Sequence, residues 1–553
     1  MFRQLASWIG LLLSLGGLLL VLVVFAETVS GRWSYGFDLE WMEGGMLVHV
    51  QRLREGLPLY VEPGPDFIPY IYPPLYPWVL SMLGEPSYWM GRGVSICSTL
   101  GAAAAIVAVL RLEKVPWMFC LGAAAGFMSC YDESGSFFDL VRGDSLGLLL
   151  ASWSLVLVRR ATRASVVMGG LLLLAAYLAK HNYALLGLPM LIWLWTQQDR
   201  QKAVLFCGVC LGSAVLVTAG LTLASEGRFL TYLLGVPAMH PFVGDRAWPG
   251  AQLELVRALP WLSAAAGVAL LVMLKRHDST HWSHRIGTLG VLGLLGGALF
   301  VADVSPASAV GVPGIVLSVV FGLMAAAGCL RGAWSAVRGS PTVTFWLLHG
   351  LVLGLLCAVM RGHHGGFINV LMPGFWLTAT LAALLLARAS GNNPHPLLTL
   401  GLGVLFVVQA WTGRWDVDRY TPTEADREAG VALLETIESY DGEVLMPHSP
   451  WYPTLVGKRP SFPLIALWDV AHDGGPLDPY VASIRQAFAE QRWDAVILTT
   501  GRRKATSGTI GFGMAEHYQR AAKKDVFMPG KVFWTRAGWR VRPRQVWEAN
   551  SEK

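Results

Sequence analysis

Residues 7–45 read SWIGLLLSLGGLLLVLVVFAETVSGRWSYGFDLEWMEGG, and the fold turns on the change of character halfway along. From Ser7 to Ala26 there is no charged side chain. About 20 apolar residues is the length a helix needs to cross the hydrocarbon core of a bilayer. Arg3 precedes the run, and Val24-Phe25-Ala26 could pass for a cleavage site. A signal peptide's apolar region normally stops at about 7 to 15 residues, so the run reads as an uncleaved first span. Beyond it the chain becomes polar at once, with Asp38, Glu40 and Glu43 inside YGFDLEWMEGG.

The rest of the sequence repeats this contrast. Of its 553 residues 54% are hydrophobic and 14% charged, against about 25% charged in a typical soluble domain. A water-soluble enzyme, a disordered chain and a disulfide-stapled secreted module are all excluded. Net charge is +6 with no concentrated basic face in the first 410 residues, so nucleic acid is not an expected partner. Further runs of spanning character lie near 88–110, 115–131, 141–158, 164–180, 183–196, 203–224, 258–274, 286–303, 312–330, 343–360, 370–387 and 397–412. With the first, they predict a polytopic α-helical membrane protein of about 13 transmembrane helices.

Alternate loops differ in charge. One set carries 14 basic residues, from Arg3 through Arg159, Arg160 and Arg163 to Arg388, against the three acids Glu113, Asp199 and Asp278. The first loop of the other set, residues 27–87, holds eight acids against three Arg. The positive-inside rule places the amino terminus in the cytoplasm, and an odd number of spans places the last segment outside. Residues 1–412 are then a membrane domain that includes the outward loop 27–87, and 413–553 a soluble extracytoplasmic domain. In that segment Thr423 ahead of Glu424 and Asp426 signals a helix start, and GEVLM and DAVILTT read as buried strands flanking a helix near 478–491. A small α/β unit is expected. Eleven basic residues against two acids between Arg502 and Arg544 make a solvated face or an attraction to anionic lipid or polysaccharide. The seven Cys lie in or beside apolar runs, so neither a disulfide framework nor a Cys-rich metal site is indicated, and Cys207-Gly-Val-Cys210 is buried in VLFCGVCLGSAVLV.

Sorted by side, most of the chemistry-bearing residues fall outside. They are Asp38, Glu40 and Glu43; Asp132, Glu133, Asp139, Arg142 and Asp144 in YDESGSFFDLVRGDSL; and Lys180 and His181 in YLAKHNY. His240 in MHPF, then Arg361, His363, His364 and Asn369 in MRGHHGGFINV, complete the set. Ionisable groups at membrane depth are costly and pair or line a polar cavity. Bland readings exist for each: solvated loop acids, a self-neutralising Arg142 and Asp144, a Lys180 that snorkels, structural histidines. Their gathering from five spans on one side reads as a site. GLPLYVEPGPDFIPYIYPPLYPWVLSMLG alternates Pro with aromatic residues and is expected at the outer leaflet boundary, as a wall of a lipid-accessible groove.

A first span followed by an acidic pair in a long outward loop, then YPPLYPW, then RGDSLGLLL, then YLAKHNYALLGLP, resembles the membrane glycosyltransferases of the GT-C superfamily. The likeness is nearest to bacterial aminoarabinose transferases and protein O-mannosyltransferases, and its motifs cover roughly residues 1–200. It implies a multi-pass protein of the bacterial inner membrane that takes a sugar from a polyprenyl phosphate donor, among membrane lipids, to a lipid, glycan or protein acceptor on the outer face. Asp38 then sits where the family's loop carboxylate acts, Asp144 matches the Asp opening the later span, and Lys180 matches a Lys followed there by Gly-Pro, where this chain has His181 and Asn182. One departure stands out. Aminoarabinose transferases carry Glu-Lys before Pro-Pro-Leu, and this chain has Ile71-Tyr72, so that family's metal ligand and phosphate-binding cation have no counterpart.

Displacing a lipid phosphate from an anomeric carbon calls for a base at the acceptor hydroxyl and cations at the departing phosphate. The expected roles are Asp38 as base and Glu40 as its second, with Lys180 and Arg142 neutralising phosphate and Asp144 orienting Arg142. Tyr72 and His181 are expected at the donor. His363, His364 and His240 are the candidates for a divalent metal ion. The folded-back loop should bring Asp38 to face Arg142 and Lys180, and direct displacement would invert the anomeric centre. The competing class is a transporter or lipid flippase, which predicts charges through the membrane depth and an internal repeat.

Overall fold

The computed structural model describes residues 1–277, 341–391, 394–499, 514–526 and 528–550. The expected spans near 286–303 and 312–330, and the start of the basic stretch at Arg502, lie outside the described residues. The first helix, Phe2–Arg32, has 31 residues, about 46 Å at 1.5 Å per residue. That exceeds a hydrocarbon core of about 30 Å, so its last turns rise past the apolar layer. Its buried residues fall every three or four positions, at Ala6, Gly10, Ser14, Gly17, Val21, Phe25, Thr28 and Arg32. Small side chains along such a stripe let two backbones approach closely, which is how helices associate where no hydrophobic effect drives them together. The partner is the Pro396–Thr412 helix, and a Cβ on its Gly403 would lie only 3.0 Å from the Cα of Gly10.

Five described helices are long and apolar enough to cross a membrane: Phe2–Arg32, Tyr88–Leu112, Arg200–Ala224, Thr342–Gly362 and Ile368–Ser390. Counting each of two bent pairs as one span raises the number to seven. Trp117–Met128 and Arg163–Ala179 are apolar but shorter. The thirteen expected from hydropathy are therefore not reached among the described residues. Hydropathy reads apolar sequence straight through places where the backbone turns, as at Ser129–Gly135, which leaves the helix before it in a 12-residue segment.

Polar contacts gather at two ends of the bundle. At one, Glu113 accepts from Arg159 Nε at 2.5 Å, from Trp346 Nε1 at 3.1 Å and from Thr342 Oγ1 at 3.1 Å, while Arg388 donates to its carbonyl at 3.2 Å. This ties together four helices whose ends there belong to the basic loops of the sequence. The acidic first loop lies at the other end. Residues assigned to one side by charge bias alone thus meet in space.

Beyond Thr412 the chain builds a four-stranded sheet from β1 (Val444–Leu445), β2 (Ala495–Thr499), β3 (Tyr518–Arg520) and β4 (Pro543–Ala549), in the order β1-β2-β4-β3. β1 and β2 run parallel, and the other two pairings are antiparallel. The helix Glu424–Glu438 starts at Thr423, whose side chain caps Asp426 N while Asp426 reaches back to Thr423 N. Between β3 and β4, residues 528–541 form an irregular excursion that returns to the first loop: Arg536 N and Ala537 N both donate to the carbonyl of Leu39, each at 2.9 Å. The six described cysteines are all free.

Candidate functional site

The site begins with what fixes the first loop. Glu43 is fully buried and accepts four donors: Leu39 N at 2.7 Å, Arg92 Nε at 3.1 Å, Arg92 Nη2 at 2.7 Å and Val141 N at 2.9 Å. Arg92, also fully buried, spends its remaining hydrogens on the carbonyls of Arg32, Tyr35 and Phe37. One ion pair therefore holds the end of the first helix, the acidic loop and the residue before Arg142 in a single geometry. Removing one partner of a buried pair leaves an uncompensated charge and costs about 3–5 kcal/mol. Glu43→Ala is accordingly expected to lower the thermal unfolding midpoint of the detergent-solubilised protein sharply, and an unchanged midpoint would contradict this role.

On that frame stand the expected residues. Glu40 Oε2 accepts from Arg142 Nη1 at 3.0 Å, and Arg142 Nε lies 3.7 Å from Asp144 Oδ2. Asp144 Oδ1 accepts from Lys180 Nζ at 2.5 Å and from Asn369 Nδ2 at 2.8 Å. Arg142 Nη2 donates to the Tyr72 hydroxyl at 3.3 Å. Glu40, Arg142, Asp144, Lys180 and Tyr72 thus form one continuous polar chain, and all but Tyr72 are buried. Arg142 sits at the cap of Gly143–Arg160, with Asp144 in its first turn, while Lys180 closes Arg163–Ala179. These short-range signals bring the two basic groups to one helix end.

Asp38 departs from the expected arrangement. It meets neither Arg142 nor Lys180, because Glu40 and Asp144 have taken them. Its Oδ1 instead accepts from Gly44 N and from the Tyr88 hydroxyl, each at 2.8 Å, while Oδ2 is buried with no partner among the described residues. Burial, with Glu43 nearby, pushes its carboxyl well above the ordinary carboxylate range. Burial likewise pushes Glu40 up to about 7, against the pull of Arg142. Burial thus raises both acids, two residues apart on one loop.

Histidines lie beside this chain. His181 Nδ1 is buried without a partner among the described residues, and burial with the nearby Lys180 brings the imidazole down to about 4. His240 Nδ1 is 3.2 Å from His363 Nε2, and His240 Nε2 is 3.5 Å from Asp469 Oδ1. His364 is exposed and lies close enough to act on both electrostatically. A divalent ion fits these residues poorly, since among the described residues no group of three or more His, Cys, Asp or Glu side chains is placed to hold one. No step below uses a metal.

The proline and tyrosine segment of the first loop lines a cleft with Met46, His49, Leu59, Tyr60, Tyr70 and Tyr72. Its Tyr72 is also the one that touches Arg142, so an apolar wall abuts the polar chain. Arg92, Tyr88 and Asp469 lie outside the groups that the sequence singles out, whereas Asn369 is among them. Arg92 carried a legible signal, a lone charge inside an apolar run, which implies a partner.

No family model and no curated protein matches this chain. Among solved structures it is similar to the archaeal oligosaccharyltransferase AglB from Archaeoglobus fulgidus, in complex with an inhibitory peptide and a dolichol-phosphate. The identity is 12% and the TM-score 0.47, over 87% of this chain and 69% of that one. It is also similar to the arabinofuranosyltransferase AftD from Mycobacteria, at 12% identity and a TM-score of 0.45, over 97% of this chain. This chain spans 41% of AftD's length.

Proposed function

We propose that this protein transfers a sugar from a polyprenyl-phosphate-linked donor to an acceptor on the outer face of the bacterial inner membrane, with inversion at the anomeric carbon. The observation that carries the reading is the polar chain from Glu40 through Arg142 and Asp144 to Lys180, with Asp38, two residues from Glu40 on the same loop, keeping one buried oxygen uncommitted among the described residues. Arg142 and Lys180 stabilise the departing lipid phosphate, whose tail lies along the Tyr60, Tyr70 and Tyr72 cleft. Asp38 Oδ2 takes the proton of the acceptor hydroxyl as that oxygen attacks. Asp144 holds both cations apart from bulk water, and Glu40 holds Arg142.

Incubating the purified protein with a panel of polyprenyl-phosphate sugars and envelope lipid or glycan acceptors tests this. One donor should be consumed, with lipid phosphate released and the sugar recovered on an acceptor in the opposite anomeric configuration. A donor moved intact across a vesicle bilayer would favour the transporter class instead. The orientation is tested separately: a reporter fused after Lys553 should be active only outside the cytoplasm, and cytoplasmic activity would split the site from its substrates.

The two acids give a pH signature. Below about 7 Glu40 holds its proton and ceases to neutralise Arg142, so donor KM should fall as pH drops through that value. The donor phosphodiester does not titrate there. Asp38 works only once its raised pKa has released the proton, so kcat should climb as pH rises. Glu40→Gln should flatten the KM limb and leave the kcat limb in place; the reverse pattern would exchange the two roles.

A further inference from the structure

Three indoles from distant parts of the chain meet beside the acidic loop. Trp41 lies 5.6 Å from Trp468 and 5.2 Å from Trp539 between ring centroids, and Trp468 lies 5.4 Å from Trp539. Trp41 comes from the first loop, Trp468 from the Leu464–Val470 helix and Trp539 from the excursion between β3 and β4. The excursion is seated by its hydrogen bonds to Leu39 and by Gly538, where an added Cβ would stand 2.8 Å from Glu40 Cγ. Trp539 is 44% exposed while Trp41 is 8% exposed, so the cluster is a wall open on one side and rooted against the acids on the other.

An apolar core would leave such a cluster dry and fully covered. Here polar atoms are left uncommitted around it. Among the described residues Trp468 Nε1 is buried with no partner, and so are both ring nitrogens of His448, which is 1% exposed and whose ring lies 6.5 Å from that of Trp41. Burial keeps the His448 imidazole neutral, so it offers one donor and one acceptor rather than a charge. Flat indole faces suit the C–H face of a sugar ring, and uncharged donors and acceptors suit its hydroxyls. A lipid tail has no use for the polar atoms, and buried polar atoms left unpaired cost free energy unless a ligand completes them.

We propose that Trp41, Trp468 and Trp539, with His448, form a carbohydrate-binding subsite that seats a sugar ring of a glycan acceptor next to the Asp38 and Glu40 loop. This rests on the transfer reading above and names its acceptor class. The step it serves is the same displacement: a hydroxyl of the seated ring gives its proton to Asp38, forms the new glycosidic bond, and the lipid phosphate leaves.

The test needs no lipid donor. The full chain in nanodiscs is titrated with short soluble oligosaccharides built from glucose, mannose, galactose, N-acetylglucosamine and arabinose, following saturation transfer to sugar protons and indole fluorescence. At least one oligosaccharide should bind, with saturation concentrated on the C–H protons of one ring face and a change in indole emission. Trp539→Ala, at an exposed position, should weaken that binding at least tenfold, and Trp539→Phe should restore part of it. Absence of binding across the panel overturns the proposal, as does equal binding by the Ala variant. Loss of vesicle adhesion in the Ala variant without any sugar binding also overturns it and assigns the wall to lipid contact. Sugar binding by a protein that cleaves no lipid-linked donor would sink the transfer reading alone.

Discussion

Asp38→Asn is expected to abolish turnover while the lipid donor still binds. The amide oxygen can keep the hydrogen bonds from Gly44 N and the Tyr88 hydroxyl, so the loop retains its shape. What changes is the free position: an NH2 group replaces the buried Oδ2 that would accept the proton. A positioned base contributes about 10²–10⁴ to rate, and the loss should fall within that range. Asp38→Glu should restore little, because an extra methylene moves the carboxylate by about 1 Å, a displacement that can cost about 10²-fold. Single-turnover rates and donor binding measured on the same preparation decide the matter. A normal rate in the Asn variant would remove Asp38 from the chemistry.

Lys180→Met should leave expression and folding largely intact and lower activity by about 10²–10³, the scale of losing one electrostatic stabiliser. Asp144 keeps Asn369 Nδ2 and the nearby Arg142 when the ammonium is gone, so the helix ends stay joined. The lost charge then appears in the barrier rather than in stability. Lys180→Arg should recover part at best, because a planar fork does not reproduce a point charge. Full activity in the Met variant would reduce Lys180 to an interfacial anchor.

Much of this site was legible because its signals are local. The switch from apolar run to DLEWMEGG marks the loop, RGDSL marks a helix start, and Thr423 with Asp426 marks another, all within a few residues. Charge bias of the loops then sorted the groups by side. The pairing itself was not legible. Nothing in the spacing of Asp38 and Glu40 says which of them meets Arg142; that was decided by Tyr88, 50 positions away, and by Glu43 holding Leu39. The span count is five to seven among the described residues, and the expected spans near 286–303 and 312–330 lie outside them. The tryptophan wall was out of reach because its members are separated by hundreds of residues and share no motif.

The carbonyl of Leu39 is capped by Arg536 and Ala537. In the order of synthesis, the loop that emerges first waits for residues made nearly five hundred positions later. A ribosome-bound chain inserted up to its last helix holds the cations at their helix ends but has neither the cap on the acidic loop nor Trp539. The cap on the acidic loop and Trp539 therefore belong to one excursion, and both are set in place only when β3 and β4 pair around it.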